Sequence, residues 1–278
     1  MKKIAISVES SADLTAELIA KYDVKVIPYS ITLGDETFFD GEKSPEEMFA
    51  LVDKTGVLPK TTAINEFQYA EFFNGLKKDY DAVIHFCLSG GITSSCANAI
   101  RAAAGIKNVF VVDSRSLSMG TGLQALYCRE LADKGTPIEE IVKILEDTAK
   151  KTVTSFIIER LDYLHKGGRC SSIALLGANL LKIRPRIMMK DGKMVSDKKY
   201  RGSMTAVVAK YAEELFAEFS PAGDAVYIAY TTATPEMVNA AVEKCVNAGF
   251  KEIVLARAGA TISSHCGANT LGIFYIRK

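Results

Sequence analysis

The chain has no tryptophan, only three histidines in 278 residues, and six cysteines of which none form a Cys-x-x-Cys pair. Tight zinc sites gather four ligands at short recurring spacings, so an ordinary zinc module is excluded and no metal is expected. Reduced thiols in a cytoplasmic protein are the simplest reading of such scattered cysteines. No stretch reaches the roughly 18 apolar residues that a membrane-spanning helix needs. The lysines at the start mimic a signal peptide, but Ser7, Glu9 and Ser10 interrupt the apolar run, so none is expected. Neither charge sign dominates: 34 basic and 33 acidic residues leave a net charge of +1, with no basic stripe for a nucleic-acid backbone. The glycine pattern for a dinucleotide, the lysine–hydroxyl pair of a phosphate loop and the Gly-x-Ser-x-Gly turn of serine hydrolases are all missing. No cofactor is expected.

What remains is an ordinary globular composition, 48% apolar and 24% charged. Apolar strand candidates at 4–8, 24–33, 82–88 and 109–112 alternate with helix candidates at 44–52, 65–77, 94–104, 119–134 and 137–151. Ser44-Pro45-Glu46-Glu47 is a strong helix start, with a capping hydroxyl, proline in the first turn and acids behind it. Near-continuous apolar strands between helices predict a largely parallel sheet covered on both faces. After residue 152 the pattern changes. Strands are predicted at 152–158, 184–189, 193–200, 225–230, 252–257 and 272–276, with helices at 173–181, 204–219 and 235–248. Asp191-Gly192 is a hairpin signal. The fold class expected is therefore α/β in two domains: residues 1–152 with a parallel sheet, and 153–278 with a mixed or antiparallel one. A single larger α/β domain is the alternative.

Three hydroxyl-rich segments could form a polar cradle. Ser263-Ser264-His265-Cys266-Gly267 looks like a turn that brings backbone N–H groups, hydroxyls and an imidazole together, suited to a carboxylate. Gly90-Gly91-Ile92-Thr93-Ser94-Ser95 lies between a strand and a helix, where free N–H groups attract an anion, although Thr93 or Ser94 could simply cap the helix. Lys60-Thr61-Thr62 precedes another helix and carries the same ambiguity. Thr62 is favoured over Thr61, being nearer the turn into that helix. Lys166-Gly167-Gly168-Arg169 reads as a solvent turn or as a contact for a partner or phosphate, with Arg169 at its rim. His85 lies inside an apolar strand and reads as core; His165 reads as exposed.

Taken in order, these segments resemble the DegV family of bacterial fatty-acid-binding proteins over essentially the whole chain. The motifs are Glu9-Ser10-Ser11-Ala12-Asp13-Leu14, Phe39-Asp40-Gly41, Lys60-Thr61-Thr62, Leu88 to Ser95, Val112-Asp113-Ser114 and Leu161-x-x-Leu164-x-Lys166-Gly167-Gly168-Arg169. The resemblance implies two α/β domains with a long-chain fatty acid between them. Its carboxylate would be held by Thr61 or Thr62, by Thr93 with Ser94 and Ser95 beside it, and by His265. It also implies, for some members, presentation of the acid to a separate fatty acid kinase for acyl phosphate formation. Four departures stand out: Glu9 replaces the usual aspartate, Gly90 a serine, and Ser94 a glycine, while Cys266-Gly267-Ala268-Asn269 stands in for His-x-Gly-Pro-Gly. The expected function is lipid binding without independent turnover. An acyl-ester or thioester hydrolase using a hydroxyl and His265 is the alternative.

Overall fold

The computed structural model describes residues 3–169 and 183–278, so the helix expected at 173–181 lies outside the described residues. The first part of the chain runs β1 (Ile4–Glu9), α1 (Ala16–Lys21), β2 (Val24–Ile27), β3 (Ser30–Leu33), β4 (Glu36–Phe39), α2 (Pro45–Thr55), β5 (Lys60–Thr62) and α3 (Glu66–Leu76). It continues through β6 (Ala82–Cys87), α4 (Ser95–Ala104), β7 (Val109–Asp113), α5 (Met119–Asp133) and α6 (Ile138–Lys151). Then come β8 (Thr152–Ile157), α7 (Asp162–Lys166), β9 (Ile183–Lys190), β10 (Lys193–Arg201) and α8 (Met204–Glu218). The last elements are β11 (Ala225–Tyr230), α9 (Pro235–Asn247), β12 (Glu252–Arg257), α10 (Ala260–Cys266) and β13 (Leu271–Ile276).

β1 and β6 are buried along their whole length, as strands covered on both faces must be. They form the centre of a four-stranded parallel sheet in the order β2-β1-β6-β7. The second sheet is six-stranded and mixed, in the order β10-β9-β8-β13-β11-β12, with only β11 and β12 parallel. The expected two-part α/β fold, one sheet parallel and one mixed, is what the chain adopts. The hairpin at Asp191-Gly192 also forms, both residues taking the positive φ (51° and 74°) that a tight two-residue turn demands.

Two expectations need correction. The strand anticipated at 24–33 is two strands in different sheets. Pro28 lacks the N–H that a ladder needs, and the chain turns there into a separate antiparallel sheet ordered β4-β3-β5. Thr61 and Thr62 therefore lie in strand β5, and the cap of α3 is Asn65, which forms a reciprocal pair with Gln68. The anticipated turn at 263–267 is instead the last part of helix α10. Its serines bond to nearby backbone, Ser264 Oγ donating to Ala260 O at 2.7 Å and Ser263 Oγ to Ala258 O at 3.4 Å.

The sheets share one core. Ala5, Val83 and Cys87 of the first meet Phe156, Ile187 and Phe274 of the second within a single buried cluster. Helix α5, buried along most of its length, packs on β1 and β6 and also on β8, β11 and β13. The β9–β10 hairpin tip closes on the first sheet's loops: Ser89 Oγ donates to Gly192 O at 2.7 Å, and Arg115 pairs with Asp191 at 3.3 Å. Gly91 is required there, because a Cβ would collide with the Gly192 carbonyl. Among the described residues no helix is long and apolar enough to cross a membrane.

Candidate functional site

A cavity with about 530 Å³ of unfilled space, its mouth included, lies where β5, the β6–α4 loop, α7, β10 and α10 converge. Leu88, Ile92, Leu117, Leu164, Met194 and Ile262 make most of its wall apolar. Six side chains with hydrogen-bonding groups interrupt that wall, besides the Cys266 thiol: Tyr29, Thr61, Thr93, Arg169, Thr261 and His265.

The period of two in a strand decides between the neighbouring threonines. Thr61, paired with Ile31 of β3, faces the cavity half-buried, whereas Thr62 points the other way and is exposed. The preference for Thr62 is thus reversed. Thr61 Oγ1 lies 2.8 Å from His265 Nε2. The other ring nitrogen, Nδ1, is buried with no partner among the described residues, and Gly167 packs against it so closely that a Cβ there would sit 2.5 Å away. Burial, with a smaller push from the Arg169 charge, lowers the His265 pKa to about 4. The imidazole is neutral at pH 7. With its proton on Nε2, it donates to Thr61, whose own hydrogen can then turn to a ligand oxygen.

Thr93 occupies the start of α4. Its Oγ1 accepts from the Ser95 N–H at 3.2 Å, so it does cap the helix while also lining the cavity. Ser95 is fully buried and acts behind it: its hydroxyl accepts from Ile64 N–H at 3.2 Å and from Thr93 at 3.2 Å, tying the β6–α4 loop to the segment after β5. Ser94 is exposed, makes no capping hydrogen bond and does not line the cavity. Arg169, expected at a solvent rim, is half-buried and lines the cavity; it donates to Gly167 O at 2.6 Å. His165 is exposed and His85 is buried in β6, as expected.

Sequence reasoning missed two cavity residues, Tyr29 and Thr261. Tyr29 follows the Pro28 break. Thr261 stands four residues before His265 and shares its helical face, a relation visible only once 260–266 is recognised as a helix. The Thr261 hydroxyl is buried with no partner among the described residues.

Behind the cavity, Glu9, His85 and Cys87 bring one potential metal-ligand atom each within 4.8 Å of one another. Their environment does not fit a cation. The Glu9 carboxyl already accepts from Tyr29, Tyr69, Ser11 and the Leu88 N–H. Burial holds the Cys87 thiol protonated by raising its pKa, and pushes His85 down to about 3 with Nδ1 against Ser7 Oγ at 2.9 Å. The cluster is an interior polar network.

A family model described as "Uncharacterised protein, DegV family" matches residues 3–278. A fatty acid-binding protein of Thermotoga maritima is 28% identical over 280 residues, which cover 97% of this chain and 96% of the relative. Among solved structures, Bacillus subtilis DegV, described as a fatty acid binding protein, superposes with a TM-score of 0.85 at 28% identity, covering both chains completely. A DegV family protein from Thermus thermophilus shares the fold with a TM-score of 0.90 at 23% identity, over 99% of this chain and 100% of that one. Fold, motifs and family model agree from the first strand to the last, and the chain belongs to the DegV family.

Proposed function

We propose that this protein binds one long-chain fatty acid in the cavity, its carboxylate at the Thr61–Thr93–His265 end and its tail along the apolar wall between residues 1–152 and 153–278. The observation that carries this reading is the Thr61–His265 pair at 2.8 Å, in the polar part of a cavity whose wall is mostly apolar. Relatives at 28% identity that are described as fatty-acid binders support it. Burying a C16–C18 tail is worth roughly 10 kcal/mol gross at about 0.8 kcal/mol per methylene, before ordering costs. The head group then needs only enough donors to offset its desolvation. Thr61 and Thr93 supply hydroxyls and Arg169 a nearby positive charge. Presentation of the acid to a separate kinase, with Arg169 near the mouth, and a cytoplasmic setting with reduced thiols are further parts of the proposal.

The Thr61–His265 pair also has the form of a nucleophile and its base. Two features argue against a hydrolase. An imidazole with a pKa near 4 is a weak base at pH 7, and no carboxylate orients its Nδ1 among the described residues. Denaturing mass spectrometry of gently purified protein tests the proposal. A near-equimolar long-chain monocarboxylic acid is the expected result. Lipid-free protein that also refuses added palmitate and oleate would overturn it, and ester turnover lost in His265→Ala would establish the hydrolase instead.

A further inference from the structure

Among the described residues Glu9 is the one buried carboxyl on the strands of the four-stranded sheet, at the end of β1, and lipid binding as described above makes no use of it. Four donors converge on it. Leu88 N–H, at 2.7 Å, belongs to the first residue of the β6–α4 loop that carries Thr93; Tyr29 Oη, at 3.0 Å, belongs to a residue that lines the cavity. Tyr69 and Ser11 hydroxyls complete the set. The hydroxyls of Ser95 and Thr93 also lie within reach of the Tyr29 hydroxyl. A continuous chain of groups thus runs from the Glu9 carboxyl through Tyr29 to the end of the cavity where Thr93 sits.

We propose that Glu9 is a positioning residue for the bound acid: through Tyr29 its protonation state sets whether this wall of the cavity offers a hydrogen or a lone pair to the ligand carboxylate. This rests on the fatty-acid reading above. When Glu9 is ionised it accepts the Tyr29 hydrogen, which leaves the Tyr29 oxygen able only to accept and puts a second negative charge behind it. When Glu9 is protonated its own O–H donates to the Tyr29 oxygen, and the Tyr29 hydrogen is free to turn toward the carboxylate. Anion binding and proton uptake at Glu9 are therefore linked.

The titratable neighbours leave Glu9 as the group that responds near neutrality. Burial raises the Glu9 pKa to about 7, against the opposing effect of its four donors. Tyr29 and Tyr69 are pushed upward by burial and by the Glu9 charge, and Cys87 upward by burial. His85, on the same face of β6, is held at about 3. Cys96 of α4 lies against Cys87, and Asp13, Asp40 and Arg257 share with Glu9 the cleft at the β1–α1 turn. Asp13 is also raised, with Asp40 contributing to that shift. No lysine, arginine or histidine is among the causes that shift Glu9, so desolvation by burial dominates its titration.

The test is palmitate affinity between pH 6 and pH 8.5 for the wild type, Glu9→Gln, Glu9→Asp and Tyr29→Phe. The fatty acid's own ionisation moves all four profiles alike, so the readout is their difference. Wild-type affinity should fall across this range by about tenfold more than that of Glu9→Gln, the size expected when one hydrogen bond from Tyr29 to the charged head group is lost. Glu9→Asp should keep a titrating profile. Tyr29→Phe, which retains the ring and the carboxyl, should lose most of the excess, and it decides the matter if Glu9→Gln fails to fold. Parallel profiles for wild type and Tyr29→Phe would overturn the inference. Absence of palmitate binding in every protein at every pH would instead remove the fatty-acid reading on which it stands.

Discussion

Each large sheet buries one charged residue type, and the two are satisfied in opposite ways. In the six-stranded sheet, the fully buried Arg186 donates to Asp197 at 2.7 and 2.8 Å and to Glu218 at 2.9 Å, while Lys190 and Lys198 pair with the same acids. Opposite charges hold all partners ionised: Asp197 and Glu218 are lowered and Arg186 is raised. In the four-stranded sheet, Glu9 meets only neutral donors, and desolvation lifts it to about 7. A charge matched by charge is fixed across the physiological range and braces the fold. A charge matched by hydroxyls can change its protonation state, and it sits one tyrosine from the cavity.

The largest expected effect comes from breaking the braced side. Arg186→Ala removes the buried guanidinium that joins two carboxylates, leaving Asp197 only Lys190 and Glu218 only Lys198 among the described residues, and should cost about 3 kcal/mol in urea unfolding. A loss below about 1 kcal/mol would show that solvent already screens the cluster.

Acid should test the other side nearly as strongly. His85 and His265 have folded pKa values of about 3 and about 4, below the ordinary 6.5, so the unfolded chain binds protons first as pH drops. Stability should fall from about pH 6.5 downward, by about 2 kcal/mol per histidine at pH 5. Glu9 has the opposite sign. Its raised folded pKa contributes stability that is present below 4.5 and lost as pH rises through about 7. Stability measured against pH should therefore peak between about 6 and 7. A flat profile from pH 5 to pH 8 would mean that these groups are more solvated than their burial indicates.

Smaller effects separate the cavity's own groups. Thr61→Val and Thr93→Val should each weaken palmitate binding by about 1–2 kcal/mol, and His265→Ala by a similar amount, since it releases the Thr61 hydroxyl. Arg169→Ala should weaken binding too, because its charge faces the cavity. Titration calorimetry of the four variants would check this order. Thr62→Val and Ser94→Ala, both on exposed positions, should change neither affinity nor stability by more than about 0.5 kcal/mol.

Much of this fold was legible in the sequence because its strands are continuous apolar runs and its hairpin carries an Asp-Gly turn. What escaped was set by tertiary context. The three-stranded sheet of short strands β3, β4 and β5 has no strong local pattern, and it is this sheet that decides which of Thr61 and Thr62 faces inward. Helix α10 is rich in serine and threonine, which read as a turn, yet Ala260, Ile262 and Cys266 pack it against neighbours while Ser264 bonds to its own backbone. Tyr29 and Glu9 could not be joined by sequence spacing, since their contact depends on the break at Pro28. Thr93 and His265 were recognisable from their motifs, as was their meeting with a threonine of 61–62 in one cradle; which of the two threonines joins them was not, because β5 belongs to the separate three-stranded sheet.

The most direct test of the account is the structure of this protein crystallised with palmitate. It predicts the carboxylate within hydrogen-bonding distance of the Thr61 and Thr93 hydroxyls, with the His265 ring against Thr61 and the tail along Leu88, Ile92, Leu117 and Ile262. A carboxylate bound away from both threonines, or a fatty acid lying outside this cavity, would contradict it.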